Sequence, residues 1–147
     1  MIGLMVLRSA LPGAALAACV MFASPALAET ISFKADLKAS EEVPANDSKG
    51  TGTVTATYDT ASKKLTWKGS YSGLTGPATM AHFHGPAEPG KNAGVAVPIT
   101  PSASPFENSA NLTDAQAADL MAGRWYVNVH TSAHPGGEIR GQLVKGM

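Results

Sequence analysis

Only one cysteine, Cys19, occurs in the 147 residues, so no intrachain disulfide can form and stability must come from packing or from a bound ion. Histidine is nearly as scarce, with four in all: His82, His84, His130 and His134. Excess charge of either sign is also missing, since eleven basic residues face eleven acidic ones, scattered along the chain. No basic stripe offers itself to nucleic acid, and no acidic tail offers itself to a cationic surface. Apolar runs are confined to the N-terminus. There the stretch from Ala10 to Ala23 is interrupted by Pro12 and Gly13 and is too short to make a good membrane-spanning helix.

That N-terminal stretch reads as an export signal. Arg8 is the only charge in the first 28 residues, and Ala26-Leu27-Ala28 fits a small-x-small cleavage site. Leu16-Ala17-Ala18-Cys19 resembles a bacterial lipobox, but apolar Val20-Met21-Phe22 follows where a lipoprotein tether is polar, so the cut after Ala28 is the reading adopted. Residues 1–28 are then a signal peptide and 29–147 a single domain, periplasmic or secreted, with no transmembrane segment in the mature chain. The cut removes Cys19 and Arg8 and leaves 119 residues, enough for one packed core.

Period-two alternation dominates the mature chain. Ile31, Phe33, Ala35 and Leu37 alternate with polar neighbours, as do Val54, Ala56 and Tyr58 with threonines, and Leu65, Trp67, Gly69 and Tyr71 continue the pattern. Residues 59–63 between the last two runs predict a hairpin loop. Further strands are expected over 79–84, at Val95–Ile99 with Pro98 marking an edge, over 125–130, and from Glu138 to Lys145. Residues 100–110, with Pro101 and Pro105, show no periodicity and predict an irregular excursion. Thr113 with Gln116 three residues on predicts a capping box, Leu112 a staple, and Gly123 the stop of a short helix. The fold expected is all-β: a Greek-key-like β-sandwich or flattened barrel of about seven to eight strands with one short helix.

The four histidines fall in two tight pairs at predicted strand ends. In Ala81-His82-Phe83-His84-Gly85-Pro86, alternation puts His82 and His84 on one face, where two imidazoles reach a single ion. His130 and His134 close the strand Trp125-Tyr126-Val127-Asn128-Val129-His130 and the loop after it. Bringing the strand ends together predicts one metal site of His82, His84, His130 and His134. An all-imidazole set favours copper, with zinc second, over calcium or magnesium. Four ligands would close a structural site, whereas three with an open position would give a reactive one. Met80, on the same face, is a further soft donor. Glu138 and Asn128 are candidates to orient a ligating imidazole. Arg140 would guide an anion to the ion or pair at the surface with Glu138 or Glu88.

The motifs Phe33-x-Ala35-x-Leu37, Glu42-Val43-Pro44, Gly73-Leu74-Thr75, Ala81-His82-Phe83-His84-Gly85-Pro86-Ala87 and Val129-His130-Thr131-x-x-His134-Pro135-Gly136-Gly137-Glu138-Ile139-Arg140-Gly141 resemble the chordin-type CHRD domain over essentially the whole mature chain. That resemblance implies a fold more than an activity, in a domain found in growth-factor-binding chordins and in exported microbial proteins. The order His82-x-His84, then His130, then Arg140-Gly141 is more distantly similar to Cu/Zn superoxide dismutase. This implies copper on His82, His84 and His130, with catalytic Arg140 drawing in superoxide. The chain departs from that family in having no bridging histidine, zinc loop or disulfide, which leaves His134 as the fourth ligand. The expected function is copper holding or modest redox chemistry. Two alternatives stand beside it: a copper-only dismutase-like enzyme, and a non-catalytic module that binds a protein partner or matrix.

Overall fold

The computed structural model describes residues 27–146, so the expected signal segment, with Cys19, lies outside the described residues except for its last two positions. In chain order the elements are β1 (Thr30–Lys38), a 3-10 turn (Ala39–Glu41), β2 (Thr51–Asp59), β3 (Lys64–Ser72), β4 (Ala78–His84), β5 (Val95–Pro98), β6 (Phe106–Asn111), α1 (Asp114–Met121), β7 (Tyr126–Thr131), β8 (Ile139–Gln142) and β9 (Val144–Lys145). All strand pairs are antiparallel, in the spatial order β5-β4-β7-β8-β1-β2-β3-β6, with β9 added to β1.

This one sheet curls into a nearly closed barrel because every long strand has an apolar face that must be hidden. Phe33, Ala35 and Leu37 point inward from β1, Val54, Ala56 and Tyr58 from β2, Leu65 and Trp67 from β3, Ala81 and Phe83 from β4, and Val127 and Val129 from β7. Each large side chain buried in this way contributes about 1.5–3 kcal/mol. Curling is visible in the aromatic contacts: Trp67 of β3 meets Phe83 of β4 edge-on at 5.1 Å, although the two strands lie far apart in the sheet order. Side chains bridge the remaining gap between the two edge strands. Asn108 of β6 donates to the Thr100 carbonyl just after β5, at 2.7 Å, and Gln116 of α1 donates to the Ala96 carbonyl of β5, at 3.1 Å. The Ala96 carbonyl on β5 thus finds its partner in a side chain rather than in a further strand.

The expected capping box forms, with the Thr113 hydroxyl accepting from the Gln116 amide and the Gln116 side chain accepting from the Thr113 amide. Leu112 and Leu120 are buried. Residues 100–110 differ from expectation, because their second half is β6. Its partner β3 sets Lys68 opposite Glu107 and Thr66 opposite Ser109, so backbone pairing makes a strand where only Phe106 and Ala110 are apolar and inward. The expected last strand is also divided. Leu143 leaves the ladder to donate its amide to the Trp125 carbonyl and fill the core, separating β8 from β9.

Candidate metal centre

Alternation along β4 sends Ala81 and Phe83 into the barrel and Met80, His82 and His84 outward. On the neighbouring β7, Val127 and Val129 point inward while Tyr126, Asn128 and His130 point outward. The register sets Met80 opposite His130, His82 opposite Asn128, and His84 opposite Tyr126. Cross-strand neighbours on one face stand close enough for side chains to meet. One ring nitrogen from each of His82, His84 and His130 accordingly lies within 4.8 Å of the other two.

The outward face of β7 is nevertheless buried, because loops fold over it, and those loops fix the imidazoles. His84 Nδ1 meets the Ala93 carbonyl at 3.0 Å, and His130 Nδ1 meets the Pro135 carbonyl at 2.9 Å. A carbonyl only accepts, so both Nδ1 atoms carry the proton, and in the neutral ring each Nε2 presents a lone pair. His84 Nε2 is buried and has no hydrogen-bond partner. His130 Nε2 stands 3.1 Å from His82 Nδ1. Two nitrogens each about 2.0 Å from one ion, at angles between square and tetrahedral, are separated by about 2.8–3.3 Å. Burial, reinforced by the neighbouring imidazoles, pushes His82 below the usual histidine range. Burial also lowers His84, against the Ala93 carbonyl and Asn128. Both shifts favour the neutral, ligating form. His82 is the half-exposed member, so the centre opens to solvent on its side.

Three of the four expected ligands are therefore together. His134 is not in the group: it is half-buried on the turn after β7, where its carbonyl accepts from the Gly137 amide and the adjacent Pro135 carbonyl holds His130. Arg140 is buried, and the expected surface pairing with Glu138 or Glu88 is not made. Its guanidinium donates to Asn92 Oδ1 and to the Lys91 carbonyl and covers the Tyr126 ring at 3.4 Å. Glu138 orients no imidazole. Completely buried, it accepts from Ser48, from the amide and hydroxyl of Thr75, and from Thr131, fastening two loops to the barrel. Burial opposes its ionisation, but these hydrogen bonds outweigh burial and hold its pKa down to about 2. Asn128 lies beside both His84 and Glu42, while the bond that orients the His84 imidazole comes from the Ala93 carbonyl.

Two residues that sequence reasoning passed over belong to this region. Tyr126 stacks on His84, and its hydroxyl donates to the Ala93 carbonyl, 3.3 Å away, the same carbonyl that holds the imidazole. Only its place in the register, opposite His84, signals this. Glu42, just after the 3-10 turn, is buried. Burial pushes it up to about 7 against the opposing pull of Arg140 and Asn128. Gly137 (φ +127°) makes room for it, because a Cβ there would strike the Glu42 carboxylate and come within 2.6 Å of Asn128 Nδ2. A separate hollow of about 950 Å³ on the outer face of β1, β2, β3 and β6, lined by residues such as Lys34, Thr55, Thr66 and Lys68, shares no residue with the histidine group.

No curated protein and no solved structure matches the chain. The CHRD domain family matches residues 33–143, a span that runs from the first inward phenylalanine of β1 to the buried Leu143 and takes in all three clustered histidines. On that match, the chain belongs to the CHRD domain family.

Proposed function

We propose that this is an exported CHRD domain protein that holds a copper ion on His82, His84 and His130. The observation that carries the reading is the pair of oriented imidazoles: His84 and His130 each spend Nδ1 on a backbone carbonyl, leaving two Nε2 lone pairs beside His82, one of them buried without a partner. Ligating histidines characteristically donate their second nitrogen to such a carbonyl, which fixes tautomer and ring orientation. A set of neutral imidazoles without thiolate or carboxylate suits copper first and zinc second, since Cu(II) stands above Zn(II) in affinity for nitrogen donors. CHRD domains are typically extracellular, and no helix among the described residues is long and apolar enough to cross a membrane. Export after cleavage at Ala28 fits both.

Three protein ligands leave coordination open for a fourth donor, for which His134 is one candidate, and this suits copper holding or modest redox chemistry. In a dismutase-like reading Arg140 would steer an anion. We assign it instead a positioning role, through Tyr126, because its guanidinium is committed to Asn92 and the Lys91 carbonyl.

The test is metal analysis and Cu(II) spin resonance of the purified protein, beside a His82→Ala/His84→Ala variant. One copper per chain with nitrogen splitting, lost in the variant, is expected. Failure of the wild-type protein to bind copper or zinc at stoichiometric loading would leave the histidines structural and the domain an interaction module.

A further inference from the structure

Met80 is 48 % exposed, at the open side of the histidine group, on a strand whose other large apolar residue, Phe83, is completely buried. An exposed thioether gains little from packing, and a distortion of the sheet lies just beside it. Between the pairs Ala78–Thr131 and Met80–His130 the register of β4 shifts by one residue, leaving Thr79 as the extra member of a bulge. From Met80 to His84 the pairing with β7 is regular, so the bulge stands at the margin of the histidine group. Bulges gather beside functional sites. Regular alternation puts Met80 on the face that carries His82 and His84, and the register sets it directly across from His130.

Resting on the copper reading above, we propose that Met80 is the fourth donor, so that a three-imidazole, one-thioether centre retains copper as Cu(I) as well as Cu(II). Thioether sulfur is a soft ligand that selects Cu(I), whereas imidazole serves both oxidation states. Long, unbranched and free to turn at the surface, the methionine side chain can close on the ion after it has entered past His82.

The experiment compares the wild-type protein with Met80→Leu and His134→Ala, each loaded with Cu(II) and then reduced with ascorbate. Readouts are Cu(I) affinity by competition with a chromogenic chelator, Cu(II) spin resonance, and X-ray absorption at the copper edge. In the wild-type Cu(I) form one sulfur neighbour is expected. Met80→Leu should lose it and bind Cu(I) about tenfold more weakly, with Cu(II) affinity and nitrogen splitting nearly unchanged. His134→Ala should behave as wild type. A wild-type Cu(I) spectrum without sulfur, or equal Cu(I) affinity in Met80→Leu, overturns the assignment while leaving the three-histidine site standing. So does weakened Cu(I) binding in His134→Ala alone. A wild-type protein that shows no nitrogen splitting and takes up no copper in either state overturns both readings.

Discussion

Tyr126 lies flat against the His84 imidazole, with ring centroids 4.8 Å apart and planes 3° from parallel. Because β4 and β8 flank β7 on opposite sides, the Arg140 guanidinium covers the other face of the same ring. The imidazole is thus wedged by stacking as well as tied through Nδ1. Tyr126→Leu should lower Cu(II) affinity about tenfold, the low end of what loss of a supporting residue costs a metal site. Tyr126→Phe, which keeps the ring and drops the hydroxyl, should lose less. Competition titration checks both, and an unchanged affinity in Tyr126→Leu would remove the wedge from the account.

Glu138 makes the fold sensitive to acid. Its carboxylate titrates at about 2 in the folded chain against an ordinary value of 4.5, so the stability it contributes is present above 4.5 and lost as pH falls through about 2. The shift corresponds to about 3 kcal/mol. Glu138→Gln should be destabilised by roughly that amount at pH 7, with the gap narrowing to about 1 kcal/mol at pH 3. Urea unfolding at the two pH values decides, and a gap independent of pH would contradict the assignment.

Glu42 has the opposite sign. Burial raises it from 4.5 to about 7, so its contribution is intact below 4.5 and is lost as pH rises through about 7. Glu42→Gln should therefore add about 1–3 kcal/mol of stability at pH 8 and nothing at pH 4. Thermal unfolding across that range is the measurement. A variant less stable than wild type at pH 8 would mean that attraction to Arg140 outweighs burial.

Gly137→Ala should be among the most damaging single methyl additions, at about 3 kcal/mol or more, because it combines a positive φ with a collision against Glu42 and Asn128. Glu42→Ala in the same background should restore part of the loss by vacating the space. Denaturant unfolding of the single and double variants measures that coupling, and additivity would refute it.

Thr113→Ala removes the hydroxyl that accepts from the Gln116 amide and should cost about 1 kcal/mol. As α1 stands away from the histidines, copper binding should be unchanged, and a parallel fall in affinity would reveal an unsuspected link between the two.

What the sequence discloses here depends on whether a residue is governed by its own neighbours or by distant ones. The alternation of β1, β2, β3 and β4 is local and could be read directly, as could the Thr113–Gln116 box and the shared face of His82 and His84. β6 was hidden because the strand is made by pairing with β3 rather than by its own pattern. The burial of Glu42 and of the outward face of β7 was hidden too, because it depends on segments distant in sequence, such as Lys91–Ala93, that close over the region. His134 illustrates the same limit. Nearness in sequence to His130 does not disclose that the turn carrying His134 brings a backbone carbonyl, that of Pro135, to the His130 imidazole.

The division of labour along β4 and β7 separates packing from chemistry. Ala81, Phe83, Val127 and Val129 belong to the barrel interior, while Met80, His82, His84 and His130 sit on the outer wall. Substitution at the outer positions would therefore change the chemistry of the wall while leaving the apolar contacts of the interior in place.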